Sequence, residues 1–255
     1  MWLRVFVSVF LTFAAGTASA QNLPVPDFSR KLSAFDSLHT ALLGSVEADS
    51  IGNRSAYVES TFAPFSGIYE SGFRLRAIGN ASWYRYLLNY DPRIVGGGHY
   101  IEGGLLAGYG VWLPGFSLTG LIGPTFGEMV NEGLTSNKWG AKGVLEIQVR
   151  PNDWTFASSS ASYSNATNNL QVQAKGGVKI AEGIYFGPET KFTWQNSLPW
   201  QAGFFSSTSI STIRFGAHHS AINISPVLIG VSGGWAYDPQ LGSGYYGSTS
   251  LYLPF

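Results

Sequence analysis

The sequence predicts an all-β fold: a single antiparallel transmembrane β-barrel of about 12 strands, following a cleaved N-terminal signal peptide. Three observations predict it. Charged residues make up 12% of the 255-residue chain, against about 25% in an average soluble domain. Aromatic residues reach 15%, alongside 32 glycines. Beyond residue 20 no apolar run approaches the ~18–20 residues that a membrane-crossing helix needs, while apolar and polar positions alternate with period two along most of the chain. A chain poor in charge whose apolar residues are spread one in two suits strands with one face in lipid.

Residues 1–20 carry the export signal. Arg4 gives a positive start, Val5 to Ala15 an apolar run too short to span a bilayer, and Ala18-Ser19-Ala20 a small-residue cleavage site before Gln21. The 15 basic and 15 acidic residues balance, and loss of Arg4 moves that balance by one charge. Such neutrality argues against nucleic acid as a partner, which favours a marked basic excess. The chain has no cysteine, which excludes a disulfide, a thiolate metal site, a catalytic thiol and a lipid anchor on an N-terminal cysteine. Residues 21–37, with Pro24, Pro26, Arg30, Lys31 and Asp36, read as a periplasmic leader, and 38–255 as the outer-membrane barrel.

Strands are expected near 38–50, 55–66, 72–89, 99–113, 116–128, 138–150, 153–164, 169–180, 184–195, 210–221, 226–237 and 243–255, an even number as in bacterial single-chain barrels. In the third, Arg74 and Arg76 oppose Phe73 and Leu75. The sixth is the clearest: Lys138, Lys142, Glu146, Gln148 and Arg150 share one face, and Trp139, Leu145, Ile147 and Val149 the other. In the eighth, Gln171, Gln173, Lys175 and Lys179 oppose Leu170, Val172, Val178 and Ile180; in the ninth, Glu189, Lys191, Thr193 and Gln195 oppose Phe186, Pro188, Phe192 and Trp194. A tight turn centred on Glu182 sets Lys175 directly across from Glu189, a pairing of opposite charges worth roughly 0.2–1 kcal/mol.

The connections alternate in kind. Leu113-Pro114-Gly115, Pro151-Asn152, Ala181-Glu182-Gly183 and Asn223-Ile224-Ser225 are tight; 90–98, 129–137 and 196–209 read as longer loops rich in Gly, Asn and Ser. Short periplasmic turns alternating with longer outer loops place both termini in the periplasm. Aromatic residues collect at strand ends, as in Trp83 and Tyr84, Tyr109 and Trp112, Trp139, Trp154, Trp235 and Tyr237, and Tyr245 and Tyr246. Amphipathic rings at that spacing fit two interfacial girdles. The last strand closes on Phe255, an ending of the kind read by outer-membrane assembly machinery.

Several segments, in order, resemble the cellulose biosynthesis protein BcsS family of Gram-negative bacteria. They are Ser71-Gly72-Phe73-Arg74-Leu75-Arg76 with Tyr84-Arg85-Tyr86, Gly108-Tyr109, Trp139-Gly140-Ala141-Lys142 running to Glu146, Gly187-Pro188-Glu189, Arg214-Phe215-Gly216-Ala217-His218, and Gly244-Tyr245-Tyr246-Gly247 with Phe255. The resemblance covers about 65–255 and implies an accessory of cellulose synthesis or export, with no activity assigned to particular residues. The chain departs from the family's pattern in a Ser-rich stretch at 196–209 and in lacking an acidic Asp-Pro element near 129–137; both departures touch loops and therefore partner choice.

The candidate site is the set of charges expected to face the lumen: Arg74, Arg76, Glu102, Lys138, Lys142, Glu146, Lys175, Glu189, Lys191 and Arg214. Small barrels fill their interior with side chains, whereas aqueous pores open at about 16 strands; these charges therefore read first as packing, and second as a cationic lining for a solute. No catalytic, cofactor-binding or metal-binding residues are expected. His218, His219 and Ser220 adjoin, but alternation puts the two histidines on opposite faces, and no Gly-x-Ser-x-Gly elbow is present. Ser158, Ser159 and Ser160 are small strand residues. His39, His99, His218 and His219 lack ligand spacing, and Gly96-Gly97-Gly98 lacks the Lys-Ser/Thr of a phosphate loop. Tyr and Trp rings could stack on sugars, but their placement at strand ends follows the membrane girdle. The expectation is a non-enzymatic outer-membrane accessory of cellulose or exopolysaccharide biosynthesis. Its partners would be membrane lipid, a glucan polymer and other secretion components, with no cofactor. A small passive channel and a lipid-modifying outer-membrane enzyme are the alternatives.

Overall fold

The computed structural model describes residues 38–88, 91–131, 134–181, 184–195, 209–224, 227–238 and 241–255, with backbone alone for 86–88, 91–95, 131, 134, 184–185, 195 and 209–224. The expected signal peptide at 1–20 and leader at 21–37 lie outside the described residues. Twelve antiparallel strands run in chain order: β1 (Thr40–Asp49), β2 (Arg54–Phe62), β3 (Gly72–Leu88), β4 (Asp91–Leu113), β5 (Phe116–Asn131), β6 (Leu134–Asn152), β7 (Thr155–Ser164), β8 (Asn169–Ala181), β9 (Ile184–Gln195), β10 (Ser209–Ile224), β11 (Val227–Asp238) and β12 (Gly242–Pro254). Each strand pairs with its sequence neighbours, and β1 pairs with β12, so the sheet is a closed barrel. The seam runs from Ala41 opposite Pro254 to Asp49 opposite Tyr246. Closure leaves no sheet edge, the condition for strands to cross hydrocarbon that offers peptide groups no water.

The two faces of the sheet are sorted by chemistry in the reverse of a soluble protein. Along β3 the inward positions hold Arg74, Arg76 and Ile78, all buried, and the outward ones Phe73, Leu75 and Trp83, all exposed. The same parity runs on: Leu105 is 67% exposed, Ile122 68% and Trp139 73%, while Glu102, Lys142 and Glu146 are buried. Large apolar groups left in contact with solvent along the strands whose side chains are described, and carboxylates enclosed, make sense only where the outer solvent is lipid. On β3, Phe73 and Trp83 are ten residues apart, ~33 Å along a strand and ~23 Å of depth at a 45° tilt, close to the ~25 Å apolar band of such barrels. Phe126 and Trp139 contact each other at 5.3 Å, and Trp235 and Tyr237 stack at 5.7 Å, within the girdle at the rim far from the termini.

Two expected loops are strand instead. Residues 90–98 and 129–137 fall largely in β4, β5 and β6, which run 23, 16 and 19 residues, against 10 for β1 and 9 for β2. Gly96, Gly97 and Gly98 weaken a strand taken alone, yet here they complete the ladder opposite Tyr86, Arg85 and Tyr84. Since roughly 9–11 tilted residues cross the bilayer, β3–β6 rise well past the far rim as one paired wall. β6 begins to pair with β7 only at Lys142, so its preceding residues stand above β7. The Ser-rich 196–208 lies outside the described residues.

Leu105 sits opposite Ala77, midway between the girdles. Leu105→Arg is expected to destabilise the barrel by roughly 2–4 kcal/mol, the cost of a cation at the bilayer midplane, measured by urea unfolding in lipid vesicles. A change near zero would mean that this face meets water.

Candidate functional site

Among the described residues, three ion-pair groups cross the barrel interior and a fourth joins adjacent strands, and the strands they join decide where they lie. Arg76 on β3 donates to Glu146 on β6 at 2.5 and 2.9 Å and lies 3.4 Å from Glu59 on β2. Lys142 on β6 donates to Glu102 on β4 at 2.6 Å. Lys191 on β9 donates to both oxygens of Glu47 on β1 at 2.9 and 3.1 Å. Side chains from strands that are not neighbours in a closed sheet can meet only through its inside, so these contacts strap opposite walls together. Lys175 and Glu189, on adjacent β8 and β9, are directly paired in register, as the turn arithmetic requires. Their charged atoms are 3.9 Å apart, however, and the nearer donor to Glu189 is Gln173 at 2.8 Å. The amide, more than the ammonium, holds that carboxylate.

Arg74 has a different task. Its guanidinium donates to Ser66 Oγ at 2.9 Å and to the carbonyls of Gly67, Ile68 and Glu70. These acceptors belong to the 63–71 segment between β2 and β3, which folds under the terminal rim. There the Ile68 N–H donates to the Leu38 carbonyl at 2.8 Å, and the Ile68 side chain packs with Ala41, Leu43, Leu228 and Tyr252. His39 Nδ1 reaches the carbonyls of Ala63 and Ser66 at 3.0 and 2.8 Å; two acceptors require that nitrogen to carry the proton. Tyr69 bonds Tyr252 at 2.9 Å, and burial pushes the Tyr69 hydroxyl up to about 12.

The far end is covered too. The turn between β7 and β8 places Asn165 against the β6 backbone, its Oδ1 accepting from the Ala141 N–H at 2.7 Å, and buries Ala166 and Thr167. Gly127 and Gly140 permit this approach, since a Cβ at either would collide with the turn. Below it the Tyr100 hydroxyl receives Asn80 and Asn169 from opposite walls at 3.1 and 3.0 Å. Ile78, Leu106 and Leu121 form a buried apolar cluster at mid-height.

Of the ten charges singled out in the sequence, the structure gathers Arg74, Arg76, Glu102, Lys142, Glu146, Lys175, Glu189 and Lys191 in this interior. Lys138 is exposed on the overhanging part of β6, above the end of β7 at Ser164. Arg214 lies on β10 opposite Lys191 and Ala236, but its side chain, with those of His218, His219 and Ser220, is outside the described residues. Sequence reasoning passed over Glu47 and Glu59. Both sit in strands whose outer faces mix small residues (Gly44 and Ala48 in β1, Ala56 and Ser60 in β2) with Leu and Val, which blurs the alternation; the signal was a carboxylate within a strand of a chain poor in charge. Added to the eight gathered charges they make five cations and five carboxylates, so this set carries no cationic excess.

A family model described as cellulose biosynthesis protein BcsS matches residues 53–255. No curated protein matches the chain. Among solved structures, a KdgM porin is 8% identical with a TM-score of 0.42, over 84% of this chain and 99% of that one. The β domain of the Bordetella autotransporter BrkA is 16% identical with a TM-score of 0.41, over 86% and 100%. The transport unit of the Escherichia coli autotransporter AIDA-I is 10% identical with a TM-score of 0.43, over 91% and 95%. These scores are low, and the barrel is established by its own closed ladder. A closed antiparallel barrel with a charged interior and an apolar outer band is an outer-membrane protein.

Arg76 neutralises two buried carboxylates at once. Arg76→Leu is expected to cost about 3–5 kcal/mol, because Glu59 and Glu146 would be left facing each other without a counter-charge. The loss should appear as a lower midpoint in urea and a weaker heat-resistant folded band on a gel. Replacing Glu59 and Glu146 by Gln in the same chain should recover part of it.

Proposed function

We propose, from the premise that this chain belongs to the cellulose biosynthesis protein BcsS family, that it is a non-enzymatic accessory which scaffolds cellulose production or secretion at the outer membrane. The terminal rim, with the packed 63–71 segment, faces the periplasm and other secretion components. The tall β3–β6 wall stands outside, where the glucan polymer emerges. The observation that supports this reading is the strapped interior: among the described residues, Arg76–Glu146, Lys142–Glu102 and Lys191–Glu47 join the walls across the space a polymer would thread, which points to the rims and the wall as the working surfaces. A narrow barrel occupied by its own side chains fits a scaffold better than a passive pore.

Deletion of the gene in its host should lower the yield or alter the architecture of cellulose measured by dye binding, and the full-length chain should restore it. Unaltered polymer in the deletion strain would remove the role. The purified barrel in a planar bilayer should show no steady conductance; discrete steps that vanish on replacing Arg76 and Lys142 would support the channel instead.

A further inference from the structure

The outward face of the barrel is not uniformly bulky. Across β12, β1, β2, β3 and β4 one row in register reads Leu251, Gly44, Val58, Gly79 and Gly103, and the row above it Thr249, Val46, Ala56, Ala81 and Ile101. The missing side chains at Gly44, Gly79 and Gly103 leave a groove of about 690 Å³ with an apolar lining. That is within the ~300–1,000 Å³ of sites that take small ligands. Val46, Val58, Ile101 and Leu251, each 42% exposed or more, stand around it. In the membrane-crossing part of the wall, its surroundings are acyl chains.

The next row towards the far rim is Arg54, Trp83 and His99, and Arg85 follows two residues beyond Trp83 on the same face. Arg54 and Arg85 are both exposed, and neither has an acidic partner among the described residues. The stem of Arg85 lies over Gly52 in the β1–β2 turn, in space that only a residue without Cβ leaves free. Two guanidiniums beside a girdle tryptophan, directly above an apolar groove and without an acidic partner among the described residues, form an amphipathic site: fork-shaped donors that match phosphate oxygens, and a slot for a hydrocarbon tail.

We infer that this groove binds one phosphate-bearing lipid of the outward-facing leaflet, its acyl chain along Gly44, Gly79 and Gly103 and its phosphate on Arg54 and Arg85. A second copy of the chain is the weaker occupant. Two barrels share one orientation in a membrane, so packing through this face would set their rim arginines at the same height beside each other, where like charges repel. The inference uses the seating of the barrel, with the far rim outward, and not the cellulose role; its failure leaves that role standing.

The test is native mass spectrometry of the full chain in detergent, titrated with bisphosphorylated lipid A and, separately, with net-neutral phosphatidylethanolamine. The wild type should retain a single lipid A in preference to phosphatidylethanolamine. Arg54→Gln with Arg85→Gln should weaken that retention on the order of tenfold per arginine, the scale of a charge-assisted hydrogen bond. Gly44→Leu, placed where a new side chain meets nothing within 4 Å, should fill the groove and reduce retention of lipid A with both arginines present. Heat-resistant mobility on a gel identifies folded protein, and Arg54→Gln alone serves should the double variant not fold. Equal binding of the two lipids by the wild type, or lipid A retention unchanged in the arginine and groove variants, would overturn the site. A dimer dispersed by Gly44→Leu but indifferent to the arginines would make the second copy the occupant.

Discussion

Every feature of this molecule follows from the absence of water beside its backbone. A peptide group in hydrocarbon must find its partner within the protein, and a strand has none on its own. The ladder between β1 and β12 therefore decides the rest. Once Ala41 pairs with Pro254 and Asp49 with Tyr246, no edge is left, and the period-two alternation of each strand has an inside and an outside. Apolar groups turn to lipid, and what remains must be accommodated in a closed, narrow tube.

That tube is where charge becomes structural. Arg76, Lys142 and Lys191 each find a carboxylate contributed by a strand that is not their neighbour, and a buried cation without one would be far more costly than the pair. The straps and the two inward-folded connections act at different heights: the 63–71 segment at the terminal rim, Arg76 and Lys142 through the middle, and Asn165–Asn168 at the far rim. Polar groups elsewhere in a protein often mark a reaction; here mutual satisfaction accounts for them, and surfaces outside the lumen are left to carry recognition.

Much of this was legible in the chain. Strand number, the parity of Arg74 and Arg76, and the pairing of Lys175 with Glu189 all follow from a repeat of two and from turn residues at Leu113-Pro114-Gly115 and its counterparts. The height of β3–β6 was not legible, because Gly96, Gly97 and Gly98 carry no propensity for strand, and only their neighbours on β3 and β5 supply the hydrogen bonds that extend it. The register across the barrel was equally hidden. Nothing local says that Arg76 will meet Glu146, 70 positions on, rather than only Glu59 beside it, and Glu47 gives no hint of Lys191. Contacts through the lumen depend on tilt and closure, which no short window of sequence encodes.

The unequal strands have a geometric consequence. With β3–β6 tall and β1, β2 and β7 short, the barrel lacks the rotational evenness that its closed ladder suggests, and its mouth is oblique. Seen from above, it has a back and a front. Any assembly that grips the raised side fixes the compass bearing of the barrel in the plane of the membrane, so neighbouring copies gripped in the same way would all lean their low sides in one direction.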